Sequence, residues 1–521
     1  MDVPIASSLS DVYPEDSVPT QKARWDNLLS QFKEKYGRPA DFVSRSPGRV
    51  NIIGEHIDYS LYEVLPMAVE VDVLLAIAVH PSTDEPVARL TNINHGKFEP
   101  HEFDIPLGGN IDIDASSLEW TNYFKAGLRG ASELLRKKRG DDFKAVGMDV
   151  LMDGNVPSGG GLSSSAAFVC ASALAVLKAN GEEKVNQKEL VELAIVSERA
   201  VGVFSGGMDQ SASVFPQRGK ALYVSFKPSL SVKHIEFPAT DPELTFVVAQ
   251  SFVAADKATF APVGYNLRVV EVSLAAVLLA KIFRLEKPLP EDQGPLGVSL
   301  RGFHDTYFEE KEGIPDNSKT SVPDFAVQLK KLVTLVEDYM IQEDGYTRED
   351  ISLLLGISVE EIEQRFMSKF KIRAERFMLR QRALHVFTEA LRVLKFMDLL
   401  SSPPSEGGSQ ALLKDLGDLM NETQDSCRDV FECSCPELDE LCQLARGVGA
   451  YGSRLTGAGW GGCSVHLVPK NKVDKVKETW ERRYYKKKFP DISEEKLKEA
   501  VVVSKPGSGS CLFVVNGGEL A

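Results

Sequence analysis

Apolar positions recur at helical spacing in several long stretches of this chain, and shorter runs carry the apolar, β-branched character of strands. Arg24 to Tyr36 reads as an amphipathic helix. Trp120 to Lys137, Val185 to Val201, Tyr265 to Phe283, Ala374 to Leu400 and Ala411 to Thr423 also read as helices. Ala166 to Leu177 is apolar almost all round, which predicts a buried helix, and Asn180-Gly181 supplies its stop signal. Strands are expected at Phe42 to Val43, Val69 to Val79, Gly147 to Met152, Ala221 to Phe226 and Leu244 to Phe252. Others are expected at Cys463 to Val468, Ala500 to Ser504 and Cys511 to Val515. Glu286 to Pro323 is punctuated by Pro, Gly and charge, and Ser401 to Ser409 reads as an exposed loop. Residues 324–365 read as short helices with acidic faces. The simplest division is a first domain over residues 1–235 and a second over 236–521. The second carries an acidic insertion at 286–365, expected to pack as small helices on the surface, away from any cleft.

Composition narrows the function classes. The 521 residues are 43% hydrophobic and 26% charged, an ordinary globular balance with ample core. A net charge of -15 argues against a nucleic-acid or anionic-membrane binder. The basic run Arg482 to Lys488 ends a helical stretch, where cations suit the helix dipole. Met1 to Pro19 has neither the basic nor the apolar segment of a signal peptide, and no apolar stretch is long enough to span a bilayer. Seven cysteines fit reduced thiols and a cytoplasmic setting. Cys427, Cys433, Cys435 and Cys442 lack the spacing of a structural zinc site.

The strongest chemical signal is Gly159-Gly160-Gly161-Leu162-Ser163-Ser164-Ser165-Ala166-Ala167, running into the buried helix. Glycines let amides approach an anion, serines add hydroxyl donors, and the helix N-terminus favours negative charge. A P-loop would need Lys beside its last Ser, and here Ala166 follows Ser165. The literal G-x-G-x-x-G at Gly447 to Gly452 follows a helical stretch, not a strand, so it is no dinucleotide fingerprint. A second cluster is Ser46-Pro47-Gly48-Arg49, then Gly54-Glu55-His56-Ile57-Asp58-Tyr59. Its Pro-Gly reads as a turn. Glu55, His56 and Asp58 suit the directed hydroxyls of a neutral polyhydroxyl ligand; a metal site or a solvated capping turn would also fit these residues. Gly206-Gly207-Met208-Asp209-Gln210 reads as a tight loop aiming a carboxylate, and Gly457 to Gly462 as another glycine loop.

Taken together, these segments resemble the motifs of the GHMP small-molecule kinase superfamily. Gly54 to Tyr59, with Gly206 to Gln210 and Tyr265 to Glu271, is similar to galactokinases, fungal ones in particular. The resemblance covers roughly residues 38 to 285 and 370 to 515. It implies a two-domain α+β fold with mixed and antiparallel sheets, and an active site in the cleft between domains. It implies transfer of the γ-phosphoryl of ATP to the anomeric hydroxyl of galactose, with Asp209 and Arg49 catalytic. Arg49, Glu55, His56, Asp58, Gly206, Asp209 and Tyr265 would bind sugar. Gly159, Gly160, Gly161, Ser163, Ser164, Ser165 and Trp120 would meet the nucleotide, with Ala255 and Asp256 at its lip. Ser165 and Glu198 would hold Mg²⁺. An N-acetylgalactosamine kinase shares these motifs. So do fungal galactose- and ATP-sensing regulators that contact a transcriptional repressor, and such a protein partner is the one expected beyond the small molecules. The intact phosphate loop, with Arg49 and Asp209 both present, favours a catalyst, expected to act as a monomer.

Overall fold

The computed structural model of the protein describes residues 1–521 except 82, 115–116, 118, 141, 158, 160, 203–205, 254–259, 370–371, 402–407, 517–518 and 521, and the side chains of 516, 519 and 520. Among the described residues, the first sheet has eight strands in the order β1 (Ile5–Ala6), β13 (Cys511–Asn516), β2 (Phe42–Ile53), β3 (Leu65–Val79), β6 (Met148–Gly154), β4 (Val87–Asn92), β5 (His101–Asp104), with β14 (Glu519–Leu520) on β13. β1–β13 and β4–β6 pair in parallel and the other pairs are antiparallel. A second, antiparallel sheet runs β10 (Gly452–Thr456), β11 (Cys463–Pro469), β9 (Leu244–Gln250), β12 (Val501–Ser504). β7 (Lys220–Ser225) and β8 (Ser231–Glu236) form a ribbon. This is the mixed and antiparallel α+β arrangement expected. One boundary moves: β13 pairs with β2 from Cys511 against Arg45 onward, so the end of the chain returns to the first lobe, where the division at 235 had placed it in the second.

The helices follow the apolar periods. In α1 (Val18–Tyr36), Gln21, Trp25, Leu28, Leu29 and Phe32 form one buried stripe, and Gly37 closes the helix in the left-handed region. α2 (Thr121–Arg139) packs on α3 (Ser164–Ala179), which is buried from Ala166 to Leu177. α4 (Gln187–Arg199) lies against both. Strand β2 was only partly legible. It runs through Pro47-Gly48, which the sequence read as a turn, because its pairing with β3 shifts register between Pro47 and Arg49 and again before Ile53. Those irregularities break the period of 2 and allow polar residues into a fully buried strand. Asp209, likewise, does not sit in a tight loop; it opens the short helix α5 (Met208–Val214).

The insertion folds as the helices Leu300–Glu312, Val322–Tyr339 and Arg348–Leu355. It does not ride free on the surface. Phe325, Leu329, Leu332 and Val336 are buried at spacings of four, three and four, and their helix packs on Leu379–Ser401. Tyr62, just beyond the Gly54-to-Tyr59 segment, hydrogen-bonds His304 Nδ1 at 2.9 Å, while His304 Nε2 stands 2.7 Å from Gln328 Oε1. The amide oxygen only accepts, so Nε2 carries the proton and the tyrosine hydroxyl donates to Nδ1. Arg301 adds an ion pair to Glu63 at 3.3 Å and covers the Phe325 ring. The sequence did not show this docking, because acidic, proline-punctuated text carries little sign of which apolar residues find partners.

Leu332→Ala should therefore destabilise the protein by about 2–5 kcal/mol, as core truncations do, in a denaturant titration. A loss of well under about 1 kcal/mol, a surface-like value, would mean the insertion is only loosely docked.

Candidate active site

Three glycine segments, far apart in sequence, meet at backbone contact. A Cβ on Gly48 would stand 2.8 Å from the Leu162 carbonyl oxygen, and one on Gly161 would stand 2.8 Å from that of Thr456. One on Gly457 would lie 2.5 Å from the Gly161 carbonyl oxygen. Gly161 and Gly457 also adopt φ of 73° and 90°, so side chains are barred there twice over.

The described residues of the glycine-serine loop run from a strand into a helix. β6 leads to the loop, Ser163 turns it with φ 57°, and Ser164 and Ser165 open α3. Their helix N-terminus faces a cleft of about 770 Å³, whose walls include Gly159, Ser164, Ser165, Trp120, Phe168 and Asn92. Trp120 lies nearly parallel to the Phe168 ring at 6.0 Å and donates its indole N–H to the Glu99 carbonyl at 3.1 Å. It is thus both a wall of the cleft and an anchor. Gly160, Ala255 and Asp256 lie outside the described residues; the neighbouring Phe252 and Val253 line the same cleft.

Arg49 joins this loop to Asp209. Its Nη1 donates to the Gly161 carbonyl at 2.6 Å, while Nε and Nη2 reach Asp209 Oδ1 at 2.8 and 2.7 Å. The guanidinium is buried, and the carboxylate remains 21% exposed, open to a reactant. Asp58 is the next acid along. It is buried, the Met208 N–H donates to it, and Gly206 presses on it so closely that a Cβ would fall 2.6 Å from Asp58 Oδ2. Burial, reinforced by the charge of Asp209, raises the Asp58 carboxyl from 3.8 to about 6.

The remaining sugar-signature residues are held by protein partners. Glu55 Oε2 accepts from the Gly457 N–H at 3.0 Å and from Arg454 Nη2. His56 adopts φ 61° and uses both ring nitrogens, Nδ1 with the Tyr59 hydroxyl at 2.9 Å and Nε2 with the Ala458 carbonyl at 3.0 Å. Its ring lies among Tyr265, Phe431 and Trp460. Glu198 is buried on α4, where it accepts a hydrogen bond from Gln210. The sequence missed Arg454, Glu389 and His385, all fully buried and bonded to the Gly54–Glu55 segment. Nothing local marks them, since each lies in a helix or strand more than 300 residues further on. All seven cysteines are free, and among the described residues no cluster of His, Cys, Asp or Glu has the make-up of a metal site. No described helix is long and apolar enough to cross a membrane.

Family models for the GHMP kinase N-terminal and C-terminal domains match residues 122–217 and 409–487, the segments that build the phosphate loop and the second lobe. Fold and site together thus define a GHMP-type small-molecule kinase. A third model, the galactokinase galactose-binding signature, matches residues 30–79. A galactokinase of Saccharomyces cerevisiae is 41% identical over 500 residues, 94% of each chain. One of Schizosaccharomyces pombe is 40% identical over 501 residues, 94% of this chain and 95% of that one. The chain belongs to the galactokinase family. Its fold also superposes on the crystal structure of a Lactococcus lactis galactokinase complexed with galactose, with a TM-score of 0.63 at 22% identity, covering 93% of this chain and 98% of the other.

The raised Asp58 pKa makes a testable statement about stability. The folded state holds this proton more tightly than the unfolded chain does, so Asp58 costs stability progressively as pH rises from about 4 through about 6. Without sugar, Asp58→Asn should melt higher than the parent at pH 7, by roughly 2–3 kcal/mol, and the two should converge below pH 4. A gap that does not change with pH would assign the effect to packing and not to the buried charge.

Proposed function

We propose that this protein transfers the γ-phosphoryl of ATP to the anomeric hydroxyl of galactose, with Asp209 and Arg49 as the catalytic pair. The observation that carries this reading is the Arg49 fork, which grips Asp209 with one side and the phosphate-loop carbonyl of Gly161 with the other. Such a fork fixes the distance between the group that addresses the sugar hydroxyl and the loop that cradles the phosphates. Phosphoryl transfer has a loose transition state, in which positioning and electrostatics supply most of the acceleration. Asp209 would accept the hydrogen bond of the anomeric hydroxyl and take its proton as that oxygen bonds the γ-phosphorus and the bond from phosphorus to the bridging oxygen breaks, releasing ADP. Arg49 would offer positive charge to the equatorial oxygens of the transferring group. ATP would lie in the cleft beside Trp120, its phosphates against Gly159, Gly161, Ser163, Ser164 and the start of α3, where amides and helix dipole favour negative charge.

Sugar hydroxyls would be read by Asp58, by the oxygen of Glu55 that Arg454 leaves uncommitted, and by Tyr265. His56 and Gly206 would shape the wall. The hydroxyl of Ser165 and the buried carboxylate of Glu198 would supply hard-oxygen donors of the kind that Mg²⁺ takes when phosphate oxygens and water complete its shell. Bound there, Mg²⁺ would neutralise phosphate charge. ADP release measured with galactose, with N-acetylgalactosamine and without sugar tests the reading. Galactose should give the fastest turnover; a faster rate with the N-acetyl sugar would reassign the substrate, and no sugar-dependent rate would leave a ligand-sensing role.

Asp209→Ala should lower kcat by roughly 10²–10⁴-fold, the usual loss for a missing acid–base group, with ATP binding intact by calorimetry. Near-parental turnover in a folded protein would remove Asp209 from the chemistry. Arg49→Lys keeps the charge but cannot bridge Asp209 and Gly161 at once, so kcat should fall by roughly 10²-fold. An unchanged kcat at saturating galactose would reduce Arg49 to a structural residue.

A further inference from the structure

Gly54 and His56, on either side of Glu55, both adopt left-handed backbone conformations, with φ of 104° and 61°. A non-glycine residue persists there only where its surroundings over-determine it. Those surroundings come from one stripe of the Leu379–Ser401 helix, in which His385, Glu389 and Val393 recur every fourth residue and so share a face. Glu389 Oε1 accepts from the Gly54 N–H at 2.7 Å and from the Glu55 N–H at 3.1 Å. Its other oxygen accepts from Arg392 Nε at 2.8 Å and the Thr423 hydroxyl at 2.9 Å. One turn back, His385 Nε2 lies 2.9 Å from the Glu55 carbonyl oxygen, and Nδ1 lies 2.8 Å from the Ser426 hydroxyl. A carbonyl only accepts, so Nε2 bears the proton and Ser426 donates to Nδ1. Burial keeps this imidazole neutral, with its pKa near 3. Val393 closes the stripe, its Cγ2 3.1 Å from where a Cβ on Gly54 would stand.

We propose that His385 and Glu389 are positioning residues for sugar recognition, clamping the Glu55 peptide by its carbonyl and its amide so that the Glu55, His56 and Asp58 side chains keep the directions a sugar needs. The inference rests on the galactose-kinase reading. Neither residue belongs to the phosphate loop or to the Arg49–Asp209 pair, so the clamp serves the sugar half of the site and leaves the nucleotide half untouched. Loss of either grip frees a polar group of the Glu55 peptide in a buried setting and lets the loop relax out of its left-handed turn.

The test is steady-state kinetics on the full-length protein with galactose and ATP varied in turn, for His385→Leu, His385→Gln and Glu389→Gln. His385→Leu cannot donate to the carbonyl, and should raise the galactose KM by about tenfold or more, a buried hydrogen bond's worth. The ATP KM should move by less than about twofold, because no nucleotide contact changes. His385→Gln retains an amide N–H able to reach the carbonyl and should recover most of the loss, which a mere packing role would not allow. Glu389→Gln leaves a neutral acceptor and an unbalanced Arg392, and should raise the galactose KM in the same selective way. If it does not fold, the two His385 variants decide alone. Equal rises in both KM values, an unchanged galactose KM in His385→Leu, or no recovery in His385→Gln would overturn the clamp. A wild-type protein without galactose-dependent ADP release would overturn the kinase reading and the clamp with it, so the two failures are told apart by the first assay.

Discussion

Backbone contact among three segments, at Gly48, Gly161 and Gly457, is the constraint on which the rest of this structure depends. Each would place a Cβ within 2.8 Å of a carbonyl oxygen of another segment. The segments are strand β2, the phosphate loop, and the end of β10 with the turn after it. Because no side chain separates them, the sugar-facing and phosphate-facing parts are fixed at a distance set by covalent and van der Waals geometry alone. Arg49 can then span the junction with one guanidinium, and its fork carries that fixed distance into the placement of Asp209. A reaction governed by alignment gains most from a joint of this kind.

The Gly54-to-Asp58 turn is organised differently, by buried charge. Glu55 meets Arg454, Glu389 meets Arg392, and all four are almost or fully withdrawn from water. Buried ion pairs add little net stability, because desolvation offsets the attraction. Their effect here is directional: every pair is also bonded to backbone or hydroxyl groups that hold the Gly54-to-Asp58 turn. Asp58 itself is buried beside a second carboxylate, and its raised pKa records the cost. The insertion braces the back of the same turn through Tyr62 and His304, which ties a peripheral segment to the pocket without placing it in the pocket.

Much of this was legible in the chain. The helix periods located α2 to α4 within two residues and the end of α1, which starts six residues before the reading, and the all-apolar run after Ser165 marked α3 as buried, because helical amphipathicity is a local property. The phosphate loop was equally visible, since glycine, serine and a helix start are adjacent in sequence. Irregular β2 was harder: register shifts erase the alternation that signals a strand. The residence of β13 in the first sheet, and the burial of the insertion's helices, are pairings between segments hundreds of residues apart or between weakly patterned faces.

What the sequence determined alone is therefore the set of elements and the chemistry each could offer: an anion-binding loop, a hydroxyl-reading turn, a lone carboxylate. Only the tertiary structure decided which of these meet. It joined Arg49 to Asp209 across 160 positions, and it supplied Glu389, His385 and Arg454 to the Glu55 turn from more than 300 positions away. Those partners carry no local signature, because a buried Glu, His or Arg in a helix or strand looks like any other polar residue until its partner arrives. The physical reason is that residue type and spacing set what a side chain can bond, whereas burial and distance set what it does bond, and both of those are products of the folded chain.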